Sequence, residues 1–309
     1  MQQPLQRDDV QLGIGDDGAV VSVPAGKQLV VVMDTMVAGV HFPLQTSAYD
    51  LGWKSLAVNL SDLAAMGAEP AWLTLALTLP QGDPIWIKEF SRGLFALAST
   101  YNVQLIGGDT TRGPLTITVQ AHGLVETGRA LLRSGAEIGD GIYVSGFPGE
   151  AALGLQLLQS GLPQHPSYDY LLSRLNRPEP RLTLGCALQN IASACIDISD
   201  GLLADLQHIL DASGVGAELK IDKLPLSAHY RSATDDEQLY NAALSGGDDY
   251  ELLFTVPKHR QTELDKLIEE SEYPLTCIGE ITAGNNTRCL DAEGNEYRSG
   301  YLGFDHFAE

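Results

Sequence analysis

Acidic residues beside glycines or small side chains recur in a set of short segments along this chain. Asp17 lies in GIGDDGAV, Asp34 in VVVMDTMVAGVHF, Asp62 in AVNLSDLAAMG and Asp109 in LIGGDTTRG, with Asp197 and Asp200 together in IDISDG. A further pair, Asp248 and Asp249, follows Gly246-Gly247 in SGGDDYEL. Surface acids normally scatter along polar helix faces, whereas these follow apolar runs, so a fold would gather several at the ends of buried strands. Carboxylates brought together in a partly buried site repel one another and lose hydration, so they need cations or must protonate. Hard divalent ions answer that need, above all Mg2+ held by a few carboxylates and a nucleotide's phosphates. Gly13, Gly15, Gly107, Gly108, Gly246 and Gly247 allow close backbone approach and expose N–H groups to anions.

Each acid also has an ordinary reading. Asp17 is equally a turn acid, Asp62 a solvated helix acid and Asp109 an Asx-turn residue. In IDISDG, Ser199 or Asp200 suits the N-cap of a following helix, a role compatible with anion or metal binding at the same terminus. His41 and His122 read as packed or surface residues, and Arg133 as either a phosphate contact or a solvated linker arginine. Other phosphate-handling and hydrolytic signatures are missing: there is no GxxxxGK[ST], no GxGxxG opening a helix after a strand, and no HRDxxxxN, GxSxG or HExxH.

The elements that must carry these residues follow from hydrophobic periodicity. A buried strand is expected over 29–34, ending in Asp34, and a helix over 50–66, stopped by Gly67. WLTLALTL at 72–79 alternates as a strand, a helix covers 84–100, and 103–109 is a strand running into a glycine turn. Residues 115–125 alternate again. A connection rich in Gly and charge spans 126–141, after which the pattern restarts. Strands are expected at 142–145, 194–197, 216–221 and 250–255, with a last one at 275–281. Helices are expected at 149–159, 167–174, 179–192, 200–212 and 258–271. Both halves are mixed, α+β or α/β, with domains over 1–136 and 137–309.

Composition narrows the function classes. The 309 residues suit two domains at roughly 150 each. Nineteen Lys+Arg against 40 Asp+Glu leave a net charge of −21, which argues against nucleic-acid and anionic-membrane partners. No apolar run reaches the roughly 18 residues of a membrane span, and MQQPLQRDDVQ has no signal-peptide core. Cys186, Cys195, Cys277 and Cys289 lack metal-ligand spacing and read as buried thiols in a reducing cytoplasm.

The ordered set IGDDGAV, DTMVAGVHF, LAVNLSDLAAMGAEPAWLTLALTLP, LIGGDTTRGP, RSGAEIGDGIYVSG, IDISDGLLADL and SGGDDYELLFTV resembles the thiamine-monophosphate kinase family. Its superfamily also holds aminoimidazole ribonucleotide synthetase, selenophosphate synthetase and a hydrogenase-maturation protein. The resemblance implies a homodimer whose N-terminal sheets pair into a barrel-like core, with ATP in a cleft between the domains. It implies phosphorylation of thiamine monophosphate to thiamine diphosphate by ATP, the last step in making that cofactor, with several Mg2+ ions and K+ as a further candidate. Matched motif by motif, Asp17, Met33, Asp34, Asp62, Asp109, Asp197 and Asp200 are the expected metal contacts. Gly108, Asp109, Arg133 and Ser199 are expected at ATP, and His41, Asp248 and Phe304 at the thiamine phosphate. Met33 stands where the family often has Ser or Thr, and Asp248 where Glu is expected. A sister enzyme of the aminoimidazole ribonucleotide synthetase type and a non-catalytic nucleotide or cation sensor are the alternatives. The first cysteine, Cys186, and the HFAE terminus disfavour the selenium and hydrogenase branches.

Overall fold

Short polar side chains start the two long helices of the N-terminal half. The Ser47 hydroxyl accepts a hydrogen bond from the Asp50 N–H at 3.1 Å, opening α1 (Ala48–Ala65). Asp83 accepts from the Ile85 N–H at 2.9 Å, and Pro84 takes the first position of α2 (Pro84–Thr100). Gly67, at φ 65°, closes α1 as expected. The helices cross backbone to backbone: a Cβ on Gly52 would lie 2.0 Å from the Phe90 carbonyl oxygen, and one on Gly93 1.9 Å from that of Tyr49.

The structure, a computed structural model, describes residues 5–235 and 238–297. The chain divides into two compact units, Met1–Ala130 and Leu131–Glu309. Leu132 falls with the second because its carbonyl accepts from the Cys195 N–H at 2.9 Å.

In the first unit, β1 (Val10–Leu12) and β2 (Val20–Val21) form a small hairpin. A four-stranded sheet is built from β3 (Lys27–Val37), β4 (Glu69–Leu79), β5 (Gln104–Arg112) and β6 (Thr116–Glu126) in the order β3-β6-β4-β5. Alternation puts Leu73, Leu75, Leu77, Ile117, Val119 and Ala121 on the buried face. Full burial of such a side chain contributes roughly 1.5–3 kcal/mol. On the other face Trp72 packs with Ala71, Ile106 and Leu124 beneath Val10 and Val21, and its indole donates to Asp9 at 3.0 Å.

Two expectations change here. The first strand does not stop at Asp34 and is not buried: it continues to Val37, and Leu29, Val31 and Met33 are 42, 50 and 61 % exposed, because β3 is an edge of the sheet. Gly107 and Gly108 make no turn either. The strand runs on through them to Arg112, and Gly108 (φ +153°) lets β4 approach so closely that a Cβ would meet the Leu75 carbonyl oxygen at 2.0 Å.

The second unit contains β7 (Gly141–Ser145), α3 (Glu150–Gln159), α4 (Tyr168–Asn176), α5 (Leu182–Leu188), β8 (Ala194–Asp197), α6 (Leu202–Ser213) and β9 (Gly216–Lys220). There follow α7 (Ala228–Ser232), α8 (Asn241–Ser245), β10 (Leu252–Val256), α9 (Gln261–Glu270), β11 (Leu275–Thr282), β12 (Thr287–Leu290) and β13 (Glu296–Tyr297). Seven strands form one sheet in the order β13-β12-β9-β11-β7-β10-β8, antiparallel except where β12 runs parallel to β9. Its core gathers Ile142, Val144, Ile196, Leu206, Ile209 and Leu253.

The strand at 275–281 is therefore not the last, since β12 and β13 extend the sheet beyond it. The helix expected over 179–192 shrinks to α5, starting only after Pro178 and Pro180 and ending at Leu188. A three-ten turn over Lys258–Arg260 precedes α9. Among the described residues no disulfide forms; Cys195 and Cys289 are buried as expected, but Cys277 is exposed and Cys186 half-buried. No described helix is long and apolar enough to cross a membrane.

Candidate active site

In the first unit the geometry joins Asp34 to Asp62. Asp34 lies mid-strand on the helix-facing side of β3, in register with Val119. Asn59, on α1, accepts from its backbone N–H at 3.1 Å. The next turn of α1 brings Asp62, whose carboxyl group is hydrogen-bonded to that of Asp34. Burial raises the Asp34 pKa, and the bond from Asp62 only partly offsets the rise. Two half-buried carboxyl groups this close are a donor set that a divalent cation fits, because the ion removes their mutual repulsion.

The other expected residues of this unit stand apart from that pair. Met33 points to the opposite face of β3 by strand alternation. Asp109 sits on β5, the other edge strand, level with Ala76 and Thr118 on the face away from the helices. Three strand spacings separate the edges, about 14 Å. Asp17 is exposed in the loop before β2, its N–H donating to Asp16 at 2.9 Å. His41 closes the turn after β3, its Nδ1 accepting from the Val37 N–H at 3.0 Å, which leaves Nε2 to carry the proton of the neutral ring. His122 has the packed role expected of it, tilted against Trp72 with ring centroids 6.4 Å apart, and burial lowers its pKa. Among the described residues no group of three or more His, Cys, Asp or Glu side chains is placed to hold a metal ion.

In the second unit two expected loops become one structure. The IDISDG loop leaves β8 and the SGGDDYEL loop enters β10, its neighbour in the sheet. Beyond the ladder they stay bonded: Ile198 N–H to the Glu251 carbonyl, Tyr250 N–H to that of Ile198, and Asp248 N–H to that of Ser199, each at 2.8 Å. Asp197, Ser199, Asp200 and Asp248 are thereby held side by side. Gly247 is required here, since a Cβ would meet the Ser199 carbonyl oxygen at 2.5 Å. Asp248 and Tyr250 adopt left-handed φ values of 68° and 54°, conformations that cost non-glycine residues roughly 1–3 kcal/mol and persist where surroundings over-determine them.

The capping expected of Ser199 or Asp200 does not occur. Gly201 is the N-cap residue of α6 and offers no side chain. Asp205 reaches back instead, one carboxylate oxygen accepting from the N–H groups of Ser199, Asp200 and Gly201 at 3.0–3.1 Å. Burial first, then the charge of Asp197, pushes its pKa up to about 7, against the pull of those N–H groups. An acid in the first turn after a Gly-rich loop was the available signal for Asp205. Arg133 is not brought to this loop: it is exposed, and its carbonyl accepts from Ser213 Oγ at 3.4 Å, at the opposite, C-terminal end of α6. Phe304 lies outside the described residues.

Sequence reasoning also missed Glu251, which is fully buried. It accepts from Arg181 Nε and Nη2 at 2.7 and 2.6 Å, Arg174 Nη2 at 2.8 Å and Ser145 Oγ at 2.5 Å. Burial alone would raise its pKa, but Arg181 and Arg174 outweigh it and hold the carboxyl below the ordinary range.

The two mixed α/β units define the class. Residues 15–125 match the family model of AIR synthase related protein, N-terminal domain, and residues 137–291 that of its C-terminal domain. The thiamine-monophosphate kinase of Salmonella typhimurium strain LT2 is 51% identical over 302 residues, covering 97% of this chain and 93% of that protein. A crystal structure of thiamine-monophosphate kinase from Stenotrophomonas maltophilia K279a is 50% identical and superposes with a TM-score of 0.87 over 92% of both chains. A structure of AaThiL complexed with AMPPCP and TMP is 33% identical, with a TM-score of 0.81 over 95% of this chain and 92% of that one. The chain belongs to the thiamine-monophosphate kinase family.

Proposed function

We propose that this chain transfers the terminal phosphoryl group of ATP to the phosphate of thiamine monophosphate, giving thiamine diphosphate and ADP. The observation that carries this is near-full-length identity of about half to a thiamine-monophosphate kinase, joined by fold likeness to AaThiL bound to AMPPCP, an ATP analogue, and TMP. The acceptor phosphate has a second pKa near 6 and is largely ionised at neutral pH, so attack needs no strong general base. That suits loops built from Asp, Ser and Gly, and it supports direct in-line transfer without a phosphoenzyme.

Asp17, Asp34, Asp62, Asp109, Asp197 and Asp200, with Met33 through its main chain, would hold the Mg2+ ions, and a K+ ion is a further candidate. Bound Mg2+ supplies neutralisation of two polyanions in an acidic protein and alignment of their phosphates. Gly108, Asp109, Arg133 and Ser199 face ATP, while His41, Asp248 and Phe304 face the thiamine phosphate. Mg–O distances of about 2.0–2.1 Å are too short for carboxylates on backbones about 14 Å apart to share an ion. Asp34 and Asp109 of one chain therefore serve different ions.

A homodimer is part of this reading, with 1–136 as the nucleotide, Mg2+ and dimerisation domain and 137–309 as the C-terminal α/β domain. The unpaired edges β3 and β5 of the four-stranded sheet support closure with a second copy into a barrel, as do exposed Leu29, Val31 and Met33. A cytoplasmic setting fits the thiols. The test is product analysis after incubation with ATP, Mg2+ and thiamine monophosphate, using fluorescent oxidation of the thiamine ring. Thiamine diphosphate with matching ADP, both absent without Mg2+, is expected. ATP binding with no diphosphate would overturn the proposal.

A further inference from the structure

The three acids of SGGDDYEL do different things. Asp248, half-buried, accepts from the Tyr250 hydroxyl at 3.1 Å and sits at a left-handed position. Asp249, between the two left-handed residues, is 5 % exposed and turns the other way. One of its oxygens accepts from the Gly149 N–H at 2.6 Å and the other from the Ala151 N–H at 3.3 Å. Gly149 is the N-cap residue of α3 and supplies no side chain, so Asp249 closes that helix from a distant point in the sequence. Gly149 and Gly246 leave room for this: a Cβ on Gly149 would meet the backbone of Ala242 at 2.5 Å, and one on Gly246 the Ala242 carbonyl oxygen at 2.5 Å.

We propose that Asp249 is a positioning residue: anchored on the first turn of α3, it holds Asp248 and the bonded Ser199 loop in the conformation that meets substrate. The inference rests on the reading of Asp248 as a contact to the thiamine phosphate. The two neighbours of Asp249 are tied to the Ser199 and Ile198 carbonyls through their N–H groups, and the two bonds from Asp249 to α3 hold the other side of the same segment. Release of Asp249 therefore shifts Asp248 directly, and shifts Ser199 through the Asp248 N–H bond to its carbonyl. Asp249 itself touches neither ligand.

The test is a double-mutant cycle on the full-length protein, reading KM for thiamine monophosphate, KM for ATP and kcat, with thermal melting as a folding control. Asp248→Ala and Asp249→Ala should each raise KM for thiamine monophosphate, by roughly 10- to 100-fold for Asp249, as expected when a contact is misplaced. In KM for thiamine monophosphate the pair should be no worse than Asp248→Ala alone, because on that substrate one acts through the other, whereas KM for ATP should rise with Asp249→Ala in either background, through Ser199. Additive losses, or an Asp249→Ala enzyme with unchanged KM, overturn the positioning role and leave the reading of Asp248 standing. An unchanged KM in Asp248→Ala overturns that reading and the positioning role with it. If Asp249→Ala does not fold, the same cycle uses Asp249→Asn, which keeps one acceptor for Gly149 and should show the same non-additivity at smaller size.

Discussion

Replacing Glu251 by Gln removes one charge from a closed set of buried groups. Glu251 and Glu150 are 0 and 1 % exposed, and they face the guanidinium groups of Arg181 and Arg174. The two guanidinium groups face these two buried carboxyl groups and, at Arg181, the exposed Glu179 3.6 Å away; the Gln variant leaves them one buried anion short. Breaking a buried pair from one side costs about 3–5 kcal/mol. At about 2–4 °C per kcal/mol for a unit of this size, the melting temperature should fall by roughly 6–20 °C. The effect carries a pH signature. Because the folded-state pKa of Glu251 lies below its ordinary 4.5, its contribution is complete above that value and is lost as pH falls through the folded pKa. The gap between wild type and variant should therefore be full at neutral pH and close in acid. Melting followed by circular dichroism from neutral pH downwards measures both. A neutral-pH shift under about 2 °C, or a gap that persists in strong acid, would refute the reasoning, since either means that the ionised carboxylate is not what balances the two arginines.

Three further outcomes follow from the first unit. Gly108→Ala should destabilise it by about 1–3 kcal/mol in chemical unfolding, because the new methyl meets the Leu75 carbonyl; a change within about 0.5 kcal/mol would show that β4 and β5 can separate. Burial raises the Asp34 pKa, so its charge weighs against folding increasingly as pH rises through the folded value, and Mg2+ relieves that cost. The Mg2+-induced gain in melting temperature should thus shrink as pH is lowered through the folded-state pKa of Asp34, and a gain unchanged into strong acid would remove Asp34 from the ion. Asp34→Asn should diminish that gain by the part its own ion supplies and reduce turnover by roughly 10- to 100-fold with the fold retained by circular dichroism; near-normal turnover at saturating Mg2+ would exclude it as a ligand.

Much of the fold was legible locally. WLTLALTL alternates because β4 has one face under two helices, and Ser47, Pro84 and Gly67 mark helix ends through capping chemistry that acts within a few residues. The burial of 29–34 was misread because an apolar run looks the same in a central strand and at an edge. β12 and β13 were missed because they are short and owe their place to β9, distant in sequence.

The candidate site divides in the same way. Acid beside a glycine or small residue, at the end of or within an apolar run, is a short-range pattern, and it singles out Asp17, Asp34, Asp62, Asp109, Asp197, Asp200, Asp248 and Asp249. Which acids meet ligands and which hold the chain could not be read that way. Asp248 and Asp249 are adjacent and chemically identical, yet a left-handed backbone on either side turns Asp249 onto a helix a hundred residues earlier. Asp205 offered only its place in the first turn of α6, where three neighbouring loop N–H groups meet it; Glu251 carries no special spacing, and its role comes from two arginines that arrive from elsewhere in the chain. Periodicity and capping are local interactions, so the linear chain displays them. A carboxylate's pKa and partners depend on groups placed by the sheets and their helices, and those distances exist only once the chain has folded.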